Sequence, residues 1–137
     1  MAVHLDRFLN VPKQPFPDVT ESGDATPAAL LAEFDQQGRI DETAAIAARM
    51  LAAGRHDELI RTLGHALLRE DSGFHEFQIF EAAVRQYQNF RGRPEGDHIL
   101  IGAARFLSAH LPTVRAVDQT YQIAARLHRG EALYEEA

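Results

Sequence analysis

The sequence has no cysteine. That removes disulfides, thiolate nucleophiles, iron–sulfur ligation and cysteine zinc sites together, and it fits a reducing compartment. No apolar run approaches the roughly 18 residues that a membrane span needs. Residues 1–10 carry His4, Asp6 and Arg7 among their apolar positions, unlike the continuous stretch of a secretion signal. The cytoplasm is therefore the expected location. Positive charge is in deficit: the formal net charge is −6, which repels phosphate and argues against general nucleic-acid binding unless the basic residues gather on one face. Strand patterning is nearly absent, because no segment alternates apolar and polar residues between turn residues. The frames of several chemistries are missing as well: no His-Glu-x-x-His, no Gly-x-Gly-x-x-Gly, no phosphate loop and no Gly-x-Ser-x-Gly elbow. Ser22, Ser72 and Ser108 fall in a linker, a cap and a helix near its end, which gives nucleophilic serine chemistry little support.

What remains is enough apolar residue to fill a core: 137 residues, 45% of them hydrophobic, is ordinary composition for one globular domain. Val3, Phe8 and Leu9 suggest a short helical turn, after which Pro12, Pro15 and Pro17 forbid regular helix. Residues 1–25 thus read as a turn followed by an extended arm. Residues 26–130 read as helical, and residues 131–137 as an acidic, frayed tail.

Punctuation divides the helical part into six. Thr26 caps the first helix with Pro27 at its first position, and Gly38 stops it. Asp41 is the expected cap of the second, which ends at Gly54. Asp57 is that of the third, where Leu59, Ile60, Leu63 and Leu67 share a face. Asp71 or Ser72 opens the fourth. Asp97 is the expected cap of the fifth, which ends before Pro112, and Thr113 that of the sixth, which stops near Gly130. The predicted fold is all-α, a single bundle of about six antiparallel helices, with a short solenoid-like stack of hairpins as the alternative. One echo bears on that alternative. Gly38-Arg39-Ile40-Asp41-Glu42 returns as Gly54-Arg55-His56-Asp57-Glu58, a helix stop followed by a helix start. With only two copies, it reads as good capping chemistry used twice.

The fourth helix places Phe74, Phe77, Phe80, Val84 and Tyr87 on one broad face, and His75, Ile79, Ala82 and Phe90 on the other side. Apolar on two sides, it is expected either at the centre of the bundle or in an oligomer interface. On the fifth and sixth helices, His110 and His128 sit near C-termini, where a histidine satisfies free carbonyls.

Seven histidines make acid–base or metal chemistry worth weighing. Glu95-Gly96-Asp97-His98 alone has the Glu-x-x-His spacing of a di-iron bundle, and it falls at a helix start. Arg61, His65 and Arg69 lie along one polar face of the third helix and are candidates to bind an anion or a partner's carboxylate. His65, Asp71, His75 and Glu81 form a weak metal candidate that requires the third and fourth helices to fold back closely. Phe77, Phe80 and Phe106 are candidates to line an apolar pocket between the fourth and fifth helices.

Gly64-His65-Ala66-Leu67-Leu68-Arg69-Glu70-Asp71, Phe74-His75, Phe77-Gln78, Glu81-Ala82 and Val84-Arg85-Gln86 together resemble the C-terminal helical region of bacterial proteins related to questin oxidase, some of which are associated with Rieske iron–sulfur domains. The later His98-Ile99-Leu100 and Ala124-Ala125-Arg126-Leu127 fit the same pattern, so the resemblance spans most of residues 27–130. It implies an oxygen-dependent oxidation with His65, His75 and His98 as the candidate catalytic residues, handling protons or a metal. Two departures stand against it. A Rieske cluster needs two cysteines as well as two histidines, and the chain is shorter than those proteins, as a detached C-terminal domain would be.

Three functions follow as expectations. The first is a non-catalytic helical assembly module that forms a homo-oligomer or binds a partner protein. The second is a questin-oxidase-like oxidoreductase domain. The third is a small-ligand sensor with an apolar interhelical pocket. No particular cofactor is indicated.

Overall fold

Thr26 accepts a hydrogen bond from the Ala29 amide at 3.2 Å, and Pro27 takes the first helical position. Helix α1 (Pro27–Phe34) therefore starts where the sequence predicts. It is followed by α2 (Ile40–Ala52), α3 (His56–Leu68), α4 (Phe74–Asn89), α5 (Pro94–His110) and α6 (Ala116–His128). The structure, a computed structural model, describes residues 14–20, 23–69, 71–113 and 116–131. Among these there is no strand, and no helix is long and apolar enough to cross a membrane. The expected turn at Val3, Phe8 and Leu9 and most of the acidic tail lie outside the described residues.

Several helix starts differ from the sequence reading. The N-caps of α2 and α3 are Arg39 and Arg55, and Asp41 and Asp57 lie inside the first turn. There they still oppose the positive end of the helix dipole. Gly73 rather than Asp71 or Ser72 precedes α4, while the Ser72 hydroxyl donates back to the Leu67 carbonyl at 2.7 Å. α5 opens at Pro94 with Arg93 before it, so Asp97 is already within the helix. Proline's fixed φ makes Pro94 the better nucleus. Gly96 then has a packing reason: a Cβ there would stand 2.7 Å from the Phe90 carbonyl oxygen, so glycine alone allows the α4–α5 turn to fold this tightly.

The bundle centres on α5. It packs against α1, α2, α3 and α4, most extensively against α2 and α4, which do not touch each other. A shared central helix is bundle architecture, not the pairwise stacking of a solenoid. The core is filled by Leu30 and Phe34 of α1, Met50 of α2, Leu59 and Leu63 of α3, and Leu100 and Leu107 of α5, all fully or almost fully buried. Buried polar groups are satisfied within it: Thr43 Oγ1 donates to the Arg39 carbonyl at 2.7 Å and shares a 3.1 Å hydrogen bond with Ser108 Oγ, and Thr62 Oγ1 donates to the Glu58 carbonyl at 2.8 Å.

α4 is not the central helix. Only Ala83 and Tyr87 of this helix are buried. Taking about 100° per residue, Phe80 lies roughly 60° from Phe77 on the buried side and Phe74 roughly 60° from it on the other. Exposure follows that rotation: Phe80 is half-buried, Phe77 is exposed and Phe74 is 72% exposed. The helix lies on the flank of the bundle, and its broad apolar face runs out past the core.

α6 packs on none of the other five described helices. Val117, Tyr121, Ile123 and Leu127 are all exposed, Tyr121 to 67% and Leu127 to 55%. At the other end of the described chain, residues 14–19 form no regular element. Phe16 meets the His98 ring edge-on at 4.8 Å, and Arg105 donates to the Pro15 carbonyl at 2.9 Å, so the arm lies on α5.

Candidate functional site

The sequence echo builds the same turn twice. Gly38 and Gly54 take φ +80° and +75°, a left-handed conformation that only glycine adopts cheaply. The arginine that follows caps the next helix with φ −91° and ψ 41° at Arg39, and φ −91° and ψ 40° at Arg55. Each arginine pairs with the glutamate three residues on, Arg39 Nη1 with Glu42 at 2.6 Å and Arg55 Nε with Glu58 at 2.5 Å. The pair is an ionic counterpart of the capping box. Arg55 hydrogen bonding holds the Glu58 carboxyl below its ordinary value, and Glu58 in turn raises Arg55.

The second turn differs from the first by one residue that reaches across the bundle. Ile40 is replaced by His56, whose Nε2 lies 2.9 Å from Asp97 Oδ1 on α5. The imidazole stacks on Tyr87 of α4, with ring centres 5.8 Å apart and planes 19° from parallel. Three helices thus meet at His56. Arg55 extends the junction by donating from Nη1 to the Ala25 carbonyl. Beside it opens a cavity of about 390 Å³ between the α2–α3 turn, Tyr87 and the turn at Arg91 and Gly92. A second hollow of about 260 Å³ adjoins it, lined by Ile60, Val84 and Gln88, with Asp57, Arg61, Tyr87 and Arg91 common to both.

This cleft has an apolar floor and a charged rim. Arg91 Nη2 reaches Asp57 Oδ1 only at 3.4 Å, with both side chains 66% exposed, an ion pair of the weak, solvent-screened kind. Arg61 lines both hollows. The chemistry available is recognition of a carboxylate attached to an apolar body. None of the described residues lining the cleft is a serine, threonine or cysteine, and the one hydroxyl among them is the Tyr87 phenol on the ring that stacks on His56.

The candidates from the sequence are placed elsewhere for the most part. Arg69 turns away from Arg61: its Nη2 donates to the Leu31 carbonyl at 3.2 Å and to Asp35 Oδ1 at 2.9 Å, closing the C-terminus of α1. His65 is exposed, as is His75, whose ring lies against Phe74. His98 is held by Phe16. Asp71 and Glu81 are exposed, and Glu81 pairs with Arg85 at 2.6 Å. Among the described residues no three His, Asp or Glu side chains come together as a metal would require. Of the three aromatic candidates, Phe77 is exposed, Phe80 closes on Gly64 and Phe106 stacks on His110 at 4.1 Å. His110 Nδ1 lies 2.8 Å from the Phe106 carbonyl oxygen, the satisfied C-terminal histidine that its position suggests.

The residues that sequence reasoning missed are His56, Asp97, Tyr87 and Arg91 as a group. A signal was present in the echo, since His56 is a polar residue where its twin carries isoleucine. Its partner lies 41 residues away, and no local pattern points there. No family model, no curated protein and no solved structure matches the chain.

Proposed function

We propose that the chain is a non-catalytic helical assembly module that pairs with a second copy of itself. The observation that carries this reading is α6, a 13-residue amphipathic helix that packs on none of the other described helices and exposes Ile123 and Leu127 about 40° apart on one side, with Tyr121 on another. A helix of that length is marginal alone in water and gains its stability by burying an apolar face. The complementary surface is on the same chain, where α4 exposes Phe74 and Phe77. α6 of one copy on α4 of the other, repeated by a two-fold axis, satisfies both surfaces at once.

Sedimentation velocity tests the reading. The expected result is a concentration-dependent monomer–dimer equilibrium that the paired substitution Tyr121→Glu and Leu127→Glu shifts to monomer, with the helical dichroism of the core unchanged. A wild-type chain that stays monomeric at millimolar concentration overturns it.

A further inference from the structure

We infer that the cleft between Arg61 and Arg91 receives residues 132–137 of a second copy, with the side chains of Leu133 and Tyr134 on its floor and Glu135 and Glu136 on its arginines. The inference rests on the self-association reading above and names a second contact within it.

Three observations lead there. First, the cleft offers a specific chemistry: Ile60, Val84 and Tyr87 form an apolar floor, and Arg61 and Arg91 stand at its rim. Among the described residues Arg91 has the long, exposed contact with Asp57 to give up, and a carboxylate that meets a guanidinium squarely makes a shorter, bidentate contact. Second, the chain carries a segment of matching chemistry. The six residues after Glu131 read Ala132-Leu133-Tyr134-Glu135-Glu136-Ala137, two large apolar side chains followed by two carboxylates. They follow α6, the helix that packs on none of the other described helices.

Third, the cleft continues the surface on which α6 is proposed to dock. Phe77, Val84 and Gln88 are spaced by seven and four residues, which places them within about 40° of one line along α4. That line runs from the exposed phenylalanines to the hollow that Val84 and Gln88 border. α4 has 16 residues and α6 has 13, or about 24 Å and about 20 Å of helix. An α6 laid parallel to its partner's α4, beginning near Phe74, therefore ends near the cleft. Its following residues arrive at Arg61 and Arg91 without a long connection.

The test uses a fluorescent peptide of residues 129–137 titrated with the full chain diluted below its dimerisation range, where no partner's tail competes for the cleft, and followed by anisotropy. Saturable binding that weakens with salt is expected. Arg61→Glu and Arg91→Glu, both exposed and remote from the core, are each expected to weaken it about tenfold or more. A peptide with Glu135→Lys and Glu136→Lys is expected to lose binding to the wild-type chain and to regain it with the Arg61→Glu, Arg91→Glu chain. Absence of saturable binding, or binding that the arginine substitutions leave unchanged, overturns the inference. A monomeric chain that excludes the peptide at every concentration also overturns it, because the segment then occupies its own cleft. Sedimentation separates the two readings. A chain that dimerises when concentrated but ignores the peptide when dilute loses only this contact, and a chain that binds the peptide but stays monomeric when concentrated loses the α6–α4 pairing.

Discussion

The turns at Gly38 and Gly54 are near copies in backbone and in their Arg–Glu pairs, yet they sit over different interiors. The first leads to Thr43, a buried polar residue satisfied by Ser108, and the second to Leu59, a fully buried apolar one. The first presents Ile40, the second His56, which binds Asp97 and borders the cleft. A repeated local signal therefore fixes repeated local geometry, and what each copy does is decided by the helix that packs across from it.

Substitution of the fourth residue after each arginine breaks this comparison most strongly. Leu59→Ala is expected to cost about 2–5 kcal/mol, the range for emptying a leucine site in a core. Thr43→Val is expected to cost less, about 1–3 kcal/mol, through the hydrogen bonds it removes from Ser108 and the Arg39 carbonyl. Urea unfolding of the two variants ranks them, and equal losses would contradict the different packing of the two turns. Next come Gly38→Ala and Gly54→Ala. A Cβ meets no atom within 4 Å at either position, so the cost is the left-handed backbone alone, about 1–2 kcal/mol and the same for both. Unequal thermal shifts would show that the turns are less alike than their angles.

The smallest effect is one of pH. Because Arg55 holds the Glu58 carboxyl below its ordinary value, the unfolded state takes up a proton first as the solution is acidified. The stability gained from the pair is complete above about 4.5 and is lost as pH falls through the lower folded value. Glu58→Gln is expected to flatten that part of the stability profile, as read from denaturation midpoints. A profile identical to wild type would remove the pair from the account of the turn.

Much of the fold is legible in the sequence because glycine and proline act locally. Thr26 with Pro27, Gly54 and Pro112 mark boundaries wherever they occur in a helical chain. The aspartates misled because Asp41 and Asp57 suit a cap and the first turn equally, and the turn geometry gives the cap to arginine. The flank position of α4 was hidden for another reason: a two-sided apolar helix looks the same whether its second side meets the core or an unfilled face. The cleft was the least legible. Arg61 was visible as part of a basic face with His65 and Arg69, but Arg69 closes the end of α1 instead. Pairings across tens of residues belong to packing, not to pattern.

The place of α5 in the chain order has a consequence for how the molecule is made. Its two most extensive partners, α2 and α4, do not touch each other, so the faces they turn to α5 stay open until residues 94–110 have been made. α1, α2 and α3 pack on one another without it, so the late step is the closing of the bundle by α5 between α2 and α4.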